Sequence, residues 1–175
     1  DTASGPGAVE DLEPGALVLT RDHGVQPLRW TGSSLRRAEG VEAPIRFAAG
    51  ALGTHADLEL SPCHRVLLTN EWAEVLFGAS EVLVKARDLV NGRSIRRRED
   101  GSEVLYFHLL FDQHEIICGN GLESESYHPG AETRAELLDL MGGDPARYGA
   151  SARRSLKPFE ARALLTGATL QGPAS

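Results

Sequence analysis

Turn chemistry cuts the stretch from Glu13 to Leu122 into short apolar runs, too brief for amphipathic helices, and this spacing points to a mostly β domain. The run 16–20 follows Glu13-Pro14-Gly15 and stops at Asp22-His23-Gly24, which is a strand between two turns. Residues 26–31 place Leu28 and Trp30 on one face and Arg29 on the other, the period of a half-buried strand. Further strands are expected at 45–48, 58–60, 65–68, 75–77 and 81–85. The longest apolar stretch, 104–118, reads as two strands joined at Asp112-Gln113, with the next turn at Asn120-Gly121. In its first part Tyr106, His108 and Leu110 share one face and Phe107, Leu109 and Phe111 the other, so both faces are expected to be covered.

The pattern changes after Pro129. Leu137, Leu138 and Met141 recur at helical spacing over 131–141 and stop at Gly142-Gly143. A second helix is expected over 158–165, with Pro158 in its first turn and Gly167 beyond its end. The expected organisation is a β body over 1–130, a small C-terminal helical appendage over 131–168 and a polar tail over 169–175. At 175 residues, 41% of them hydrophobic, the chain can bury one sizeable core.

Twenty-five acidic against eighteen basic residues give a net charge of −7, which argues against a nucleic-acid partner. The basic run from Arg93 to Arg98 is interrupted by Ser94 and Ile95 and followed by Glu99-Asp100, as in a solvated hairpin flank. No apolar run is long enough to span a bilayer, so no membrane insertion is expected. With only Cys63 and Cys118, no disulfide framework holds the fold; a single bridge between them stays open, two free and mostly buried thiols being the plainer reading.

The segment with most chemistry is Ser61-Pro62-Cys63-His64, just ahead of a β-branched strand. A hydroxyl three residues before an imidazole can sit with it at one end of a sheet and polarise a carbonyl or an amide nitrogen. His108 and His114 lie on the consecutive pieces of the long strand region and can converge with His64. Three imidazoles with an open position would suit zinc, but no His-x-x-x-His or Cys-x-x-Cys pair supports that alternative, and no cofactor or metal is expected. Neighbours on a strand point to opposite faces, which gives Cys63 a structural role despite its place beside His64, and Cys118 reads as core filling. His23, His55 and His128 sit in turns or beside proline and are read as solvent-facing.

Taken together, 9-VEDLEPG-15, 18-VLTRDHG-24, 27-PLRW-30, 61-SPCHRVLL-68, 106-YFHLLFDQHEI-116, 123-ESES-126 and 156-LKPFEAR-162 resemble, in order and spacing, the Hint domains of the hedgehog and intein family, in particular bacterial hedgehog/intein-like domains. The resemblance covers most of the chain. It implies a horseshoe of short strands and an autocatalytic N–S acyl shift, in which a cysteine at the start of the first strand attacks the preceding carbonyl and turns a peptide bond into a thioester. A Thr/Ser-x-x-His motif promotes that step in the family, and Ser61 and His64 occupy its ends. His64 would protonate the departing nitrogen, Ser61 would hold the carbonyl or orient the histidine, and His114 matches the histidine of the last conserved block. His108 falls near the position where inteins often carry an aspartate that tunes the cysteine.

The chain departs from the family pattern in two ways. No cysteine stands at its start, so the nucleophile is expected several residues before Asp1 and the chain alone is expected to be inert. No terminal His-Asn pair follows Leu122, which leaves thioester hydrolysis or transfer rather than splicing. The substrate is then a covalently attached upstream segment, and the acceptor is water or a small nucleophile. The competing reading is an inactive Hint scaffold serving as an interaction module. The compartment stays open between export within a larger bacterial protein and the cytoplasm.

Overall fold

The structure, a computed structural model, describes residues 1–130 and 149–170, with side chains described to residue 167. Among the described residues, twelve strands and two α-helices make a mostly β fold with a small C-terminal helix. The main sheet takes in β1 (Leu17–Thr20), β2 (Gly24–Pro27), β6 (Arg65–Thr69), β7 (Glu81–Lys85), β10 (Ile116–Gly119), β11 (Leu122–Glu125) and β12 (Arg154–Ser155), in the order β12-β7-β6-β11-β10-β1-β2. All its pairings are antiparallel except β12 on β7. A long ribbon joins β3 (Trp30–Arg37) to β9 (Glu103–Leu110), and a three-stranded sheet runs β5 (Leu58–Leu60), β4 (Ile45–Phe47), β8 (Ile95–Arg97).

Local chemistry explains most of these elements. Asn120 and Gly121 both take positive φ (52° and 86°) between the paired residues Gly119 and Leu122, the two-residue turn whose twist suits a hairpin. In the strand expected at 26–31, the chain breaks at Leu28-Arg29 and crosses from the main sheet to the ribbon. Leu28 is buried with Val18 and Phe111, whereas Trp30 packs with Leu110 and Tyr127. The strand expected at 75–77 is instead the end of a helix, α1 (Glu71–Phe77). The Asn70 side chain accepts the Trp72 amide at 2.8 Å and Gly78 closes the helix in the left-handed region, so capping overrides the β propensity of Val75-Leu76-Phe77.

The largest core joins Ile45, Phe47, Val66, Val82, Val84 and Ile95 to Leu156, Ala161 and Leu164. The last two belong to α2 (Pro158–Leu170), so the C-terminal stretch packs into the body through its own buried residues. The helix expected over 131–141 lies outside the described residues. No helix among the described residues is long and apolar enough to cross a membrane. Both cysteines are free; Cys63 is exposed rather than buried, with Arg87 Nη1 at 3.6 Å from its sulfur.

Candidate functional site

His64 is positioned by a tight turn. The Ser61 carbonyl accepts the His64 amide at 3.1 Å, with Pro62 presetting the turn. The turn is pinned to the residues after β7: the Ala86 amide donates to the His64 carbonyl at 2.8 Å and the Arg87 amide to the Pro62 carbonyl at 3.1 Å. The His64 Nε2 is buried and has no hydrogen-bond partner among the described residues. A buried imidazole nitrogen without a partner is costly, and such groups concentrate where chemistry is done. Burial pushes the His64 imidazole below its ordinary value, the Glu125 carboxylate pulls it up, and positive charge at His108, His114 and Arg65 adds to the lowering. The Ser61 hydroxyl makes no hydrogen bond among the described residues, so its link to His64 runs through the backbone of the turn.

His114 lies in the connection between β9 and β10 and is buried. Its Nδ1 accepts the Ala152 amide N–H at 2.9 Å and lies 3.3 Å from the Ser151 hydroxyl. Its Nε2 lies 3.1 Å from Glu125 Oε2, off the line of a hydrogen bond. The ring packs against His128 at a tilt of 46°, centroids 4.5 Å apart. His128 is therefore half-buried against the site and not solvent-facing as its place before Pro129 suggested. His55, also expected in solvent, is buried, its Nε2 accepting the Leu52 amide at 3.1 Å and its Nδ1 bonded to the Ala56 carbonyl at 2.7 Å.

Glu125 joins these parts, and the sequence reading did not single it out. It sits at the end of β11 with a side chain 8% exposed, one strand away from β6. The Arg65 amide donates to its Oε1 at 2.9 Å and the Arg65 guanidinium to its Oε2 at 2.7 Å. Burial by itself raises the carboxyl; the contact from His114 and the charges of Arg65 and His64 outweigh it and hold the group below its ordinary value. One ionised carboxylate thus stands within electrostatic reach of both His64 and His114.

His108 stands at the margin of this group. It is half-buried on β9, its Nε2 lies 3.3 Å from the Ser34 hydroxyl, and its ring packs on Tyr127 at 4.9 Å. Burial, with a smaller contribution from Arg36, pushes its imidazole below the ordinary value. With the His108 Nε2 turned to Ser34 and the His114 Nδ1 taken by an amide N–H, the three imidazoles do not present free lone pairs to one point. Among the described residues no group of three or more His, Cys, Asp and Glu side chains is arranged to hold a metal ion.

A second carboxylate and imidazole pair lies nearby. Glu115 is 1% exposed; its Oε2 is 2.9 Å from His23 Nδ1 and its Oε1 accepts the Gln113 amide at 3.0 Å. The hydrogen bond to Glu115 raises the half-exposed His23 above its ordinary value. His23, Gln113, His114, Asp22, Ala152 and Arg153 contribute to the walls of a hollow of about 330 Å³. A larger hollow of about 590 Å³, between Arg87 to Val90 and α2, takes in none of the histidines.

The arrangement can supply a neutral buried imidazole able to pass a proton, a second imidazole able to donate a hydrogen bond, and a carboxylate within electrostatic reach of both. The sequence matches the Hint domain family over residues 1–131. Among curated proteins and among solved structures, none matches. With three quarters of its length inside that match and with the mostly β architecture described above, the chain belongs to the Hint domain family.

Proposed function

We propose that this Hint domain is a self-processing domain that cleaves an upstream segment through a thioester, without splicing. The observation that carries the reading is the buried Nε2 of His64, which has no hydrogen-bond partner among the described residues and lies within electrostatic reach of Glu125 and His114. A peptide bond is a poor electrophile, and breaking it requires a proton for the departing nitrogen and a donor for the oxyanion. The nucleophile in this reading is a cysteine several residues before Asp1. Its thiol proton passes to neutral His64, the sulfur bonds to the preceding carbonyl carbon, and the C–N bond breaks as His64 returns the proton to the nitrogen. The products of that step are a thioester and a free amine. Attack by water or a small nucleophile then breaks the C–S bond, releases the upstream segment as an acid or its adduct, and regenerates the thiol.

A lowered His64 suits this role, since the imidazole must begin neutral to take the thiol proton. His114 would donate to the oxyanion, Ser61 would assist at the carbonyl, and His108 would tune the thiol from the margin. The test joins an upstream segment with its cysteine to this chain and follows intact mass after adding a thiol. Cleavage that falls by about 10²- to 10⁴-fold in His64→Ala supports the reading. A stable full-length product under reducing conditions overturns it in favour of an interaction module on the Hint scaffold.

A further inference from the structure

The segment Ser151–Arg153 lies beyond the residues of the family match, yet it reaches the buried face of His114. Three anchors hold it there. The Arg153 guanidinium bonds Asp22 (2.6 and 3.0 Å) in the turn after β1 and Glu81 (2.7 Å) at the start of β7. Next to it β12 pairs in parallel with β7, Arg154 opposite Val82 and Ser155 opposite Leu83. Leu156 is then buried in the main core. The Ala152 amide is thus presented to His114 Nδ1 at 2.9 Å by a backbone that is fixed immediately after it, over residues 153–156.

An amide N–H can only donate, so Nδ1 must hold a lone pair, and a neutral His114 then carries its proton on Nε2. That nitrogen lies 3.1 Å from the Glu125 carboxylate, itself ordered by Arg65, but off the line of a hydrogen bond, so among the described residues no acceptor takes its proton. We infer that Ala152, through its backbone amide, is a positioning residue that fixes His114 as the neutral Nε2–H tautomer. The consequence rests on the self-processing reading. His114 enters the reaction as a hydrogen-bond donor, and the proton relay belongs to His64, because protonating His114 at Nδ1 would expel the Ala152 amide. The C-terminal segment is then part of the working site.

The tautomer is read directly in the chain by ¹⁵N and ¹³C shifts of the His114 ring at neutral pH, with no cleavage reaction needed. The Nε2–H form is expected in the wild type and in Ala152→Gly, which keeps the amide, and also in Ser151→Ala, which removes only the hydroxyl at 3.3 Å. Ala152→Pro, or an ester in place of the 152 amide for a variant free of the proline ring, removes the N–H and is expected to give a mixture of tautomers. An Nδ1–H ring or an imidazolium in the wild type overturns the inference, as does an unchanged ring in a folded variant lacking the N–H. In the intact self-processing protein, loss of the 152 N–H is expected to slow cleavage on the order of tenfold to hundredfold, as for other partners that orient a reacting group. Unchanged cleavage alongside a changed tautomer would overturn the part given to His114 while leaving the tautomer assignment in place.

Discussion

Glu125 and Arg65, sixty residues apart in sequence, meet twice: the Arg65 backbone amide and its guanidinium each donate to a different oxygen of the same carboxylate. The double contact ties β11 to the end of β6 where His64 is displayed, while Oε2 also faces His114. Removing one member of a largely buried pair leaves the other charge uncompensated, which typically costs about 3–5 kcal/mol. Glu125→Ala is expected to lose stability in that range by urea denaturation. Glu125→Gln, which keeps the shape and one acceptor, is expected to lose less.

The same carboxylate sets part of the acid sensitivity. Its folded value lies below its ordinary one, so its contribution is complete above the unfolded value, about 4.3, and is lost as pH falls through the folded value. Stability measured from pH 7 down to pH 3 should fall less steeply in Glu125→Gln than in the wild type over the acid range.

His64 and His23 should titrate on opposite sides of 6.5, His64 below and His23 above. The lowered His64 favours the folded state at and above pH 6.5, and that contribution falls as pH drops toward its folded value. The raised His23 contributes fully below pH 6.5, and its contribution is lost as pH rises through its folded value. Ring-proton NMR titration reads both directly, and an order with His64 above His23 would contradict the burial and pairing described for them.

Gly121 takes φ +86°, and a Cβ built there would stand 2.8 Å from the Thr54 carbonyl oxygen and 3.1 Å from the His55 Cα. Backbone atoms cannot give way cheaply, and the conformation is itself strained for an L side chain. Gly121→Ala is expected to cost about 1–3 kcal/mol in denaturant titration. Because the turn seats His55, an accompanying change in the His55 ring shifts is expected.

Local signals made much of the fold legible. Pro, Gly and Asn-Gly punctuation marked the turns, and alternating apolar residues marked most strands, because both act within a few residues. The helix over Glu71–Phe77 was misread from Val75-Leu76-Phe77, although Asn70 and Gly78 carried its caps in plain sight. In the site, the histidines were visible as residues with chemistry, but Glu125 was not. On a strand reading Glu-Ser-Glu-Ser an acidic side chain looks solvated, and only the pairing of β11 with β6 reveals that Ser124, Glu125 and Ser126 are buried. The same holds for His128 and His55: local sequence placed them in turns, and long-range packing brought one against His114 and enclosed the other.

The parallel pairing of β12 with β7 has a consequence for how the chain behaves when shortened. Without residues 154–156, β7 becomes an outer strand of the main sheet, with an open row of amides and carbonyls along Val82 and Leu83 and an apolar slot where Leu156 was buried. Such a rim is a template for strand addition from another molecule. A fragment ending near residue 131, where the family match stops, would therefore be prone to self-association, and the two residues of β12 act as the sheet's own protection against it.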